Sequence, residues 1–216
     1  MAISRIVPEG LEVTVNVAQS LNGYISGPGG RTAMISSLQD QERVHRLRSS
    51  VDGILVGANT VINDDPDLTA RLPSGEIVRP TRIILDAALK IPDGSRVLDT
   101  RSRTIVFTSN HSRKLNGAEL VAVHPDELSL PAILERLSGM GLKSILVEGG
   151  ANVISGFVSS RLIDRFYLFI GNVIIPEGGI RLFSMEVEIR DVVREARVVD
   201  GGVLMELYPE KLVNKI

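Results

Sequence analysis

The stretch ILVEGGANV, residues 145–153, places an acid and two glycines where an apolar run ends. The apolar run reads as the end of a buried strand, and Glu148, Gly149 and Gly150 follow it directly. In open α/β sheets, ligands bind beyond the carboxyl ends of the strands. Glycines let the backbone approach a ligand closely, and N–H groups at the start of a helix attract phosphate. The glycine pair therefore predicts either a diphosphate cradle or a tight strand-to-helix turn.

Glu148 has a different role from the glycines that follow it. A carboxylate beside a diphosphate would repel it, so we expect Glu148 to face a polar, donor-rich substrate such as an amino-pyrimidine ring. The Rossmann fingerprint G-x-G-x-x-G is absent from the sequence, and no acid stands about 20 residues further on to hold a ribose. A standard dinucleotide-binding βαβ unit is therefore not indicated.

A second polar stretch covers residues 54–71, where a strand is followed by a helix start and then by Asp64 and Asp65. Two adjacent acids suggest a metal site, but no histidine lies nearby and a divalent ion would need further oxygen ligands. We therefore predict a helix end and a solvated loop, with no metal. Arg71 stands isolated after the apolar Leu68, and its guanidinium can bind a phosphate through two hydrogen bonds.

His45 and Arg48 lie three residues apart, on neighbouring turns of one face of a predicted helix. We interpret His45 as a partly buried structural histidine. Arg48 lies at the border of the buried side, and it is either a substrate contact or a solvated arginine. No serine or histidine lies in a nucleophile motif, so hydrolysis has no support.

Composition limits the class of protein. The 216 residues are 44% apolar and 23% charged with a net charge of −2, which predicts one globular domain over residues 1–216 and argues against a nucleic-acid partner. Cysteine and tryptophan are absent, which fits a cytoplasmic protein without disulfides. No apolar run reaches about 18 residues, so no membrane span is expected.

Strand and helix patterns alternate along the chain, which predicts an α/β protein with a largely parallel sheet. We predict strands at 11–20, 52–57, 81–86, 103–109, 143–148 and 164–175, and helices at 36–51, 131–141 and 149–160. Residues 187–200 and 202–210 predict a closing hairpin that turns at Asp200-Gly201-Gly202, so the sheet is expected to be mixed.

Four pieces of the chain together resemble the reductase of riboflavin biosynthesis, in the order found in that family. They are NVAQSLNGYIS, VHRLRSSVDGILVGANTVINDDPDLTAR, PTRIILDAALKIP and KSILVEGG, and they cover most of residues 12–156. The resemblance implies a dihydrofolate-reductase-like three-layer fold, with a mixed, mostly parallel sheet and a C-terminal antiparallel hairpin. It also implies NADPH as cofactor, with NADH as the alternative, and a homodimer.

The substrate that the resemblance implies is a pyrimidine ribosylamine 5′-phosphate. Because no zinc deaminase signature precedes the first strand, the chain looks like the free-standing archaeal or fungal type. That type reduces 2,5-diamino-6-ribosylamino-4(3H)-pyrimidinone 5′-phosphate, in which a ribosylamine can open to an imine that accepts a hydride. The cofactor brings this step, and the protein supplies orientation and electrostatics.

The resemblance also implies roles for individual residues. Those matching cofactor contacts are Ala18, Thr60, Asp64, Asp86, Ala87, Ala88, Leu89, Lys90, Gly149, Gly150, Ala151 and Asn152. Within this set, Lys90 is the candidate for the 2′-phosphate by its charge, and the last four match the diphosphate cradle. Those matching substrate contacts are Thr32, Met34, Arg48, Leu68, Arg71 and Glu148, with the arginines toward the 5′-phosphate.

Two positions depart from the family pattern. Asn22 stands where the family often has aspartate, which weakens any role of that position in proton transfer, and Met34 stands where the bacterial branch has tryptophan. We assign no catalytic acid, and expect a water or a substrate hydroxyl to donate the proton. The alternatives are 5-amino-6-(5-phosphoribosylamino)uracil reductase, a dihydrofolate reductase with Asp40 or Glu42 as its acid, and a non-enzymatic nucleotide-binding module.

Overall fold

Nine strands form one sheet in the computed structural model, which describes residues 7–110, 112–124, 128–183 and 191–209. The strands are β1 Glu12–Gln19, β2 Gly53–Gly57, β3 Ala70–Arg71, β4 Ile77–Val78, β5 Thr81–Leu85, β6 Thr104–Thr108, β7 Glu119–Ala122, β8 Ser144–Gly149, β9 Arg165–Gly171, β10 Asp191–Val199 and β11 Gly202–Pro209. The helices are α1 Leu38–Ser49, α2 Ala58–Asp64, α3 Leu130–Gly139 and α4 Ala151–Ser159, with 3₁₀ turns at Pro28–Gly30 and Arg96–Leu98.

The order of the strands across the sheet is β10-β11-β9-β1-β8-β2-β5-β6-β7. Neighbours from β9 to β7 are parallel, whereas β11 runs antiparallel to β9 and β10 antiparallel to β11. The predicted mixed, mostly parallel sheet with a closing antiparallel hairpin is confirmed. β3 and β4 form a separate two-stranded ribbon.

The central strands of the sheet are buried on both faces, as is usual for parallel strands covered by helices, and they carry apolar side chains on both faces. On β2, Leu55 packs with α3 and α4, whereas Ile54 and Val56 pack with α2 and the segment from Leu89 to Leu98. Side chains alternate across a strand, so one short buried run serves both layers. The result is a helix–sheet–helix arrangement with β8 and β1 near its centre.

Two predicted elements differ from the structure or lie partly outside the described residues, and one strand of the large sheet was not predicted. The strand predicted over 164–175 ends at Gly171, where a Cβ would lie 2.3 Å from the backbone oxygen of Ile35. β7 was not predicted, because its four residues alternate poorly and are exposed or half-buried. Part of the strand predicted over 187–200 falls outside the described residues, and the remainder begins at Asp191.

Helix α1 begins with a side-chain cap and docks onto β3. Ser37 accepts a hydrogen bond from the backbone N–H of Asp40, which satisfies one of the free donors of the first turn. Further along α1, Nδ1 of His45 accepts the backbone N–H of Arg71 at 3.2 Å. This contact needs a neutral imidazole, since a protonated Nδ1 could only donate.

Arg82 on β5 is fully buried and joins the sheet to two loops. Its Nε donates to the backbone oxygen of Asp67, and its Nη1 donates to Val97 and to the backbone and side-chain oxygens of Asp99, all within 2.9–3.1 Å. A buried guanidinium is stable only with such partners, because desolvation penalises an unpaired charge.

We expect Arg82→Met to lower the free energy of unfolding by about 3 kcal/mol, because the backbone oxygens of Asp67, Val97 and Asp99 each lose a donor and the Asp99 carboxylate loses its buried cation. Urea unfolding monitored by circular dichroism measures this. Arg103→Met is the matched control: its pair with Glu119 is about half exposed, so its loss costs about 0–1 kcal/mol. Equal effects of the two substitutions would contradict the role given to Arg82.

The pKa of His45 lies below its ordinary value of 6.5, first because the imidazole is partly buried and then because Arg48 and Arg71 are close. Above pH 6.5 the histidine is neutral in both states and imposes no penalty. As the pH falls from 6.5 toward the folded-state pKa, the unfolded chain binds more protons and stability is lost. We expect His45→Asn to lose less stability over that window, measured by urea unfolding. Identical pH slopes for the two proteins would contradict this.

Candidate active site

A cleft of about 590 Å³ opens at the carboxyl ends of β1, β2, β5 and β8. Its size is typical of ligand pockets, and its place is where parallel sheets bind ligands. Most of the residues predicted for the site line it. They are Ala18, Thr32, Arg48, Thr60, Asp64, Asp86, Ala87, Ala88, Lys90, Glu148, Gly149, Gly150, Ala151 and Asn152.

Two strand-to-helix turns meet at the base of the cleft, because β2 and β8 are parallel neighbours. α2 begins after Gly57 and α4 after Gly150, and neither helix has a side-chain cap. A Cβ on Gly149 would lie 2.8 Å from Oγ1 of Thr60, and one on Gly57 would lie 3.0 Å from Val153. The close packing of the two turns therefore requires glycine at both positions. The first amides of each helix lack an intrahelical acceptor, so they can bind a ligand.

Glu148 and Arg48 form a bidentate ion pair in the cleft. Nε and Nη2 of Arg48 donate to the two carboxylate oxygens at 2.8 and 2.7 Å, and Nη1 donates to the backbone oxygen of Thr69 at 3.2 Å. The Glu148 side chain is only 8% exposed. Burial by itself lowers the pKa of Arg48, but the charge and hydrogen bonds of Glu148 outweigh it and raise the pKa. The two parallel N–H···O bonds are the geometry of a guanidinium–carboxylate pair.

Thr32 and Asp64 are in contact, although they come from distant parts of the chain. Oγ1 of Thr32 donates to Oδ1 of Asp64 at 2.6 Å, and this bond connects the loop before α1 with the end of α2. The resemblance implies that Thr32 contacts the substrate and that Asp64 contacts the cofactor. Their contact places those two predicted regions side by side in one cleft.

The segment after β5 forms a second wall. Oδ2 of the buried Asp86 accepts the backbone N–H of Ile91 at 2.9 Å, which closes the turn from 86 to 91. Leu89 has φ +54° and packs into the core under this turn, so it supports the wall from below. Lys90 is exposed and lines the cleft.

Four of the predicted residues do not line the cleft. Met34 is 80% exposed, and Leu68, at φ +50°, is buried in the core beside α2. Leu89 is likewise a core residue. Arg71 lies on β3, and its exposed guanidinium pairs with Asp67. The backbone N–H of Arg71 donates to His45. Thr69, whose backbone oxygen accepts from Arg48, lies two residues before Arg71.

Sequence reasoning gave no site role to two buried polar residues that line the cleft, Asn16 and Asp40. Asn16 lies between Val15 and Val17 in the centre of β1, and an amide at such a position is the signal that would have identified it. Asp40 was named only as a possible acid in the dihydrofolate reductase alternative. Arg43 joins the two, donating to Asp40 Oδ1 and to Asn16 Oδ1 at 2.7 Å each.

Within the described ranges, no three histidine, cysteine, aspartate or glutamate side chains are grouped closely enough to ligate a metal. None of the helices that the structure describes has the length and apolar character required to traverse a bilayer.

Curated proteins similar to this chain include two kinds of riboflavin-pathway protein. The 2,5-diamino-6-ribosylamino-4(3H)-pyrimidinone 5′-phosphate reductase of Archaeoglobus fulgidus is 35% identical over 177 residues, which are 76% of this chain and 81% of that protein. The riboflavin biosynthesis protein RibD of Aquifex aeolicus is 34% identical over 188 residues, 82% of this chain and 52% of that protein. The chain thus spans about half the length of that RibD protein.

Solved structures support the same relationship. The Thermotoga maritima deaminase/5-amino-6-(5-phosphoribosylamino)uracil reductase superposes with a TM-score of 0.81 at 30% identity, covering 92% of this chain and 56% of that one. Dihydrofolate reductase from Enterococcus faecalis superposes with a TM-score of 0.54 at 17% identity, covering 94% and 99%. The second likeness concerns the fold alone, and it confirms the predicted dihydrofolate-reductase-like architecture.

The family match extends over nearly all of the described sheet. The family described as the RibD C-terminal domain matches residues 12–200, from the start of β1 to the turn between β10 and β11. The match includes every residue named above as lining the cleft. The resemblance seen in the sequence is confirmed, and the chain belongs to the RibD C-terminal domain family.

Proposed function

We propose that this chain catalyses the NADPH-dependent reduction of 2,5-diamino-6-ribosylamino-4(3H)-pyrimidinone 5′-phosphate, converting its ribosylamino side chain to the ribitylamino form. The observation that carries the proposal is a single cleft that joins an uncapped glycine turn to a buried carboxylate–guanidinium pair. The relative from Archaeoglobus fulgidus, matched over 81% of its length, supports this substrate.

The cofactor part of the proposal rests on the fit of the glycine turn. A Cβ on Gly149 would lie 2.8 Å from Oγ1 of Thr60, so only glycine lets the two turns pack this closely, and Ala151 and Asn152 begin α4 beside it. Amides in this position suit the diphosphate of a dinucleotide. Lys90, exposed on the second wall, would favour the 2′-phosphate of NADPH over NADH by its charge. A cofactor bound there would supply the hydride.

The substrate part of the proposal rests on charge. Glu148 is ionised and accepts hydrogen bonds only, so it suits the amino groups of the pyrimidine. Arg71 is proposed to bind the 5′-phosphate at the rim, exchanging its present partner Asp67 for the phosphate. Asp67 also pairs with Arg96, so this exchange would leave the carboxylate paired.

The protein's part in the reaction is then binding and orientation. The ribosylamine opens when its C1′–ring oxygen bond breaks and the nitrogen loses a proton, which gives an imine and a free hydroxyl. Hydride addition at C1′ and a proton on nitrogen complete the ribitylamine. No side chain is assigned as the acid, and a water or a substrate hydroxyl is proposed to donate the proton.

Three other functions are tested by the same assay. The Thermotoga maritima relative favours 5-amino-6-(5-phosphoribosylamino)uracil as the second candidate substrate. Dihydrofolate is the third, and a nucleotide-binding module without activity is the fourth. NADPH oxidation is followed by absorbance with each of the three substrates, and again with NADH. If NADPH is not oxidised with any of the three substrates, the enzymatic proposal is overturned.

The homodimer that the resemblance implies stays a prediction.

We expect Gly149→Ala to raise the dissociation constant for NADPH by about tenfold or more. A methyl group 2.8 Å from Thr60 must displace the start of α2, and overpacking of this kind costs about 1–3 kcal/mol. Isothermal titration calorimetry measures the affinity. Gly139→Ala is the control, since the space around it is open. An unchanged NADPH affinity in a folded Gly149→Ala protein would remove the turn from the cofactor site.

We expect Arg71→Ala to raise KM for the phosphorylated substrate while changing kcat little. The loss of a charged bidentate contact to a phosphate costs about 2–3 kcal/mol, roughly 30- to 150-fold in affinity. Steady-state kinetics at saturating NADPH give both constants. Arg46→Ala is the control, because Arg46 is equally exposed and pairs with Glu42 on the surface of α1. An unchanged KM for Arg71→Ala would mean that another group binds the phosphate.

A further inference from the structure

One face of α1 forms a wall of the cleft. Asp40, Val44 and Arg48 all line the cavity, and their spacing of four residues places them above one another on a single helix face. The Arg48 end of this face carries the carboxylate of Glu148 from β8. The other end carries the carboxylate of Asp40. An apolar valine separates the two acidic ends, as expected for a surface that receives the plane of a ring and pairs with its edges.

Asp40 is a buried acid whose described contacts use only part of its hydrogen-bonding capacity. The residue is 1% exposed, and Oδ1 accepts from Nε of Arg43 at 2.7 Å. Among the described residues, no hydrogen bond ends on Oδ2, although the residue lines the cleft. An ionised carboxylate can accept about four hydrogen bonds and donates none. Asp40 therefore offers acceptor capacity to a ligand.

Arg43 holds this carboxylate in place. Its Nη2 donates to Oδ1 of Asn16 on β1 at 2.7 Å, and its guanidinium lies over the ring of Tyr167 on β9, 5.3 Å from the ring centroid. The helix, the two strands and the arginine thus fix the position of Asp40. A carboxylate that is paired and rigidly placed inside a cleft can discriminate between ligands that differ by one polar group.

The two candidate substrates differ by one such group. The diamino-pyrimidinone carries an amino group on the ring carbon where the uracil compound carries a carbonyl oxygen. An amino group donates to a carboxylate, whereas a carbonyl oxygen at the same place would leave the carboxylate unpaired and meet it with like partial charge.

On the basis of the proposed function, we propose that Asp40 is the specificity-determining residue that accepts a hydrogen bond from the exocyclic amino group of the pyrimidine ring. Arg43 and Asn16 are positioning residues that hold it. Glu148 contacts the ring from the opposite end of the cleft. The site consequently selects the substrate before deamination.

The test compares kcat/KM for the diamino-pyrimidinone and the aminouracil substrates in the wild-type protein and in Asp40→Asn. The wild-type protein is expected to prefer the diamino compound. Asp40→Asn is expected to reduce that preference about 10- to 100-fold, the range for loss of one charge-assisted hydrogen bond. The decrease should fall on the diamino compound, while kcat/KM for the aminouracil compound is kept or rises.

Glu42→Gln is the matched control, because it removes a carboxylate from the same turn of α1 at an exposed position paired with Arg46. Its substrate preference should equal that of the wild-type protein. The melting temperature and the NADPH affinity of Asp40→Asn show whether the variant is folded. Should it fail to fold, Asp40→Glu keeps the charge beside Arg43 but displaces the carboxylate, and the preference should again fall.

The outcomes separate this inference from the proposed function. If the wild-type protein oxidises NADPH with neither the diamino-pyrimidinone nor the aminouracil substrate, the proposed function and the inference are both overturned. Activity with an unchanged preference in the folded Asp40 variant overturns the inference alone. So does an equal loss on both substrates, which would make Asp40 a packing residue, and so does a wild-type preference for the aminouracil compound.

Discussion

The ion pair between Arg48 and Glu148 is the interaction on which the geometry of the cleft depends. Glu148 ends a strand that is buried on both faces, and a carboxylate at 8% exposure stays ionised only beside a cation. Arg48 meets it bidentately and also holds the backbone oxygen of Thr69. One guanidinium therefore connects the helix α1, the central strand β8 and the segment that leads to β3. Loss of either charge would leave the other buried and unpaired, and the rim of the cleft would lose its attachment to the sheet.

The order of the strands explains why so many distant segments meet at this point. β8 lies between β1 and β2 and runs parallel to both, so the carboxyl ends of three strands share one edge of the sheet. The turns after β2 and β8 are adjacent, and each begins a helix at a glycine. A side chain at Gly149 or Gly57 would force these turns apart. The absence of side chains permits this close packing, and the first amides of the two helices lack an intrahelical acceptor at the same place.

The elements and site residues were predicted best from the sequence where the local pattern and the long-range packing agree. The apolar run before Glu148 and the glycines after it identified β8, the turn and the start of α4 without further information. Leu68 and Leu89 could not be placed in this way, because both are buried leucines with positive φ, a backbone state that their residue type does not signal. Asp40 was explained locally by the cap at Ser37, so nothing in its neighbourhood pointed to Arg43, Asn16 and the cleft. β7 was missed because an edge strand with half-exposed side chains lacks the alternation that reveals buried strands.

Asn22, where the resemblance implies aspartate, uses both its amide oxygen and its amide nitrogen in the structure. Oδ1 of Asn22 accepts from Ser20 Oγ and from the backbone N–H of Ile175, while Nδ2 donates to the Ile175 oxygen at 2.7 Å. An aspartate can accept both bonds but cannot make the third, since it has no proton to give when ionised. The amide therefore pairs with both backbone groups of one residue, Ile175, and it joins the turn after β1 to the segment after β9. A carboxamide is not an acid at this position, and a water or a substrate hydroxyl stays the proposed proton donor.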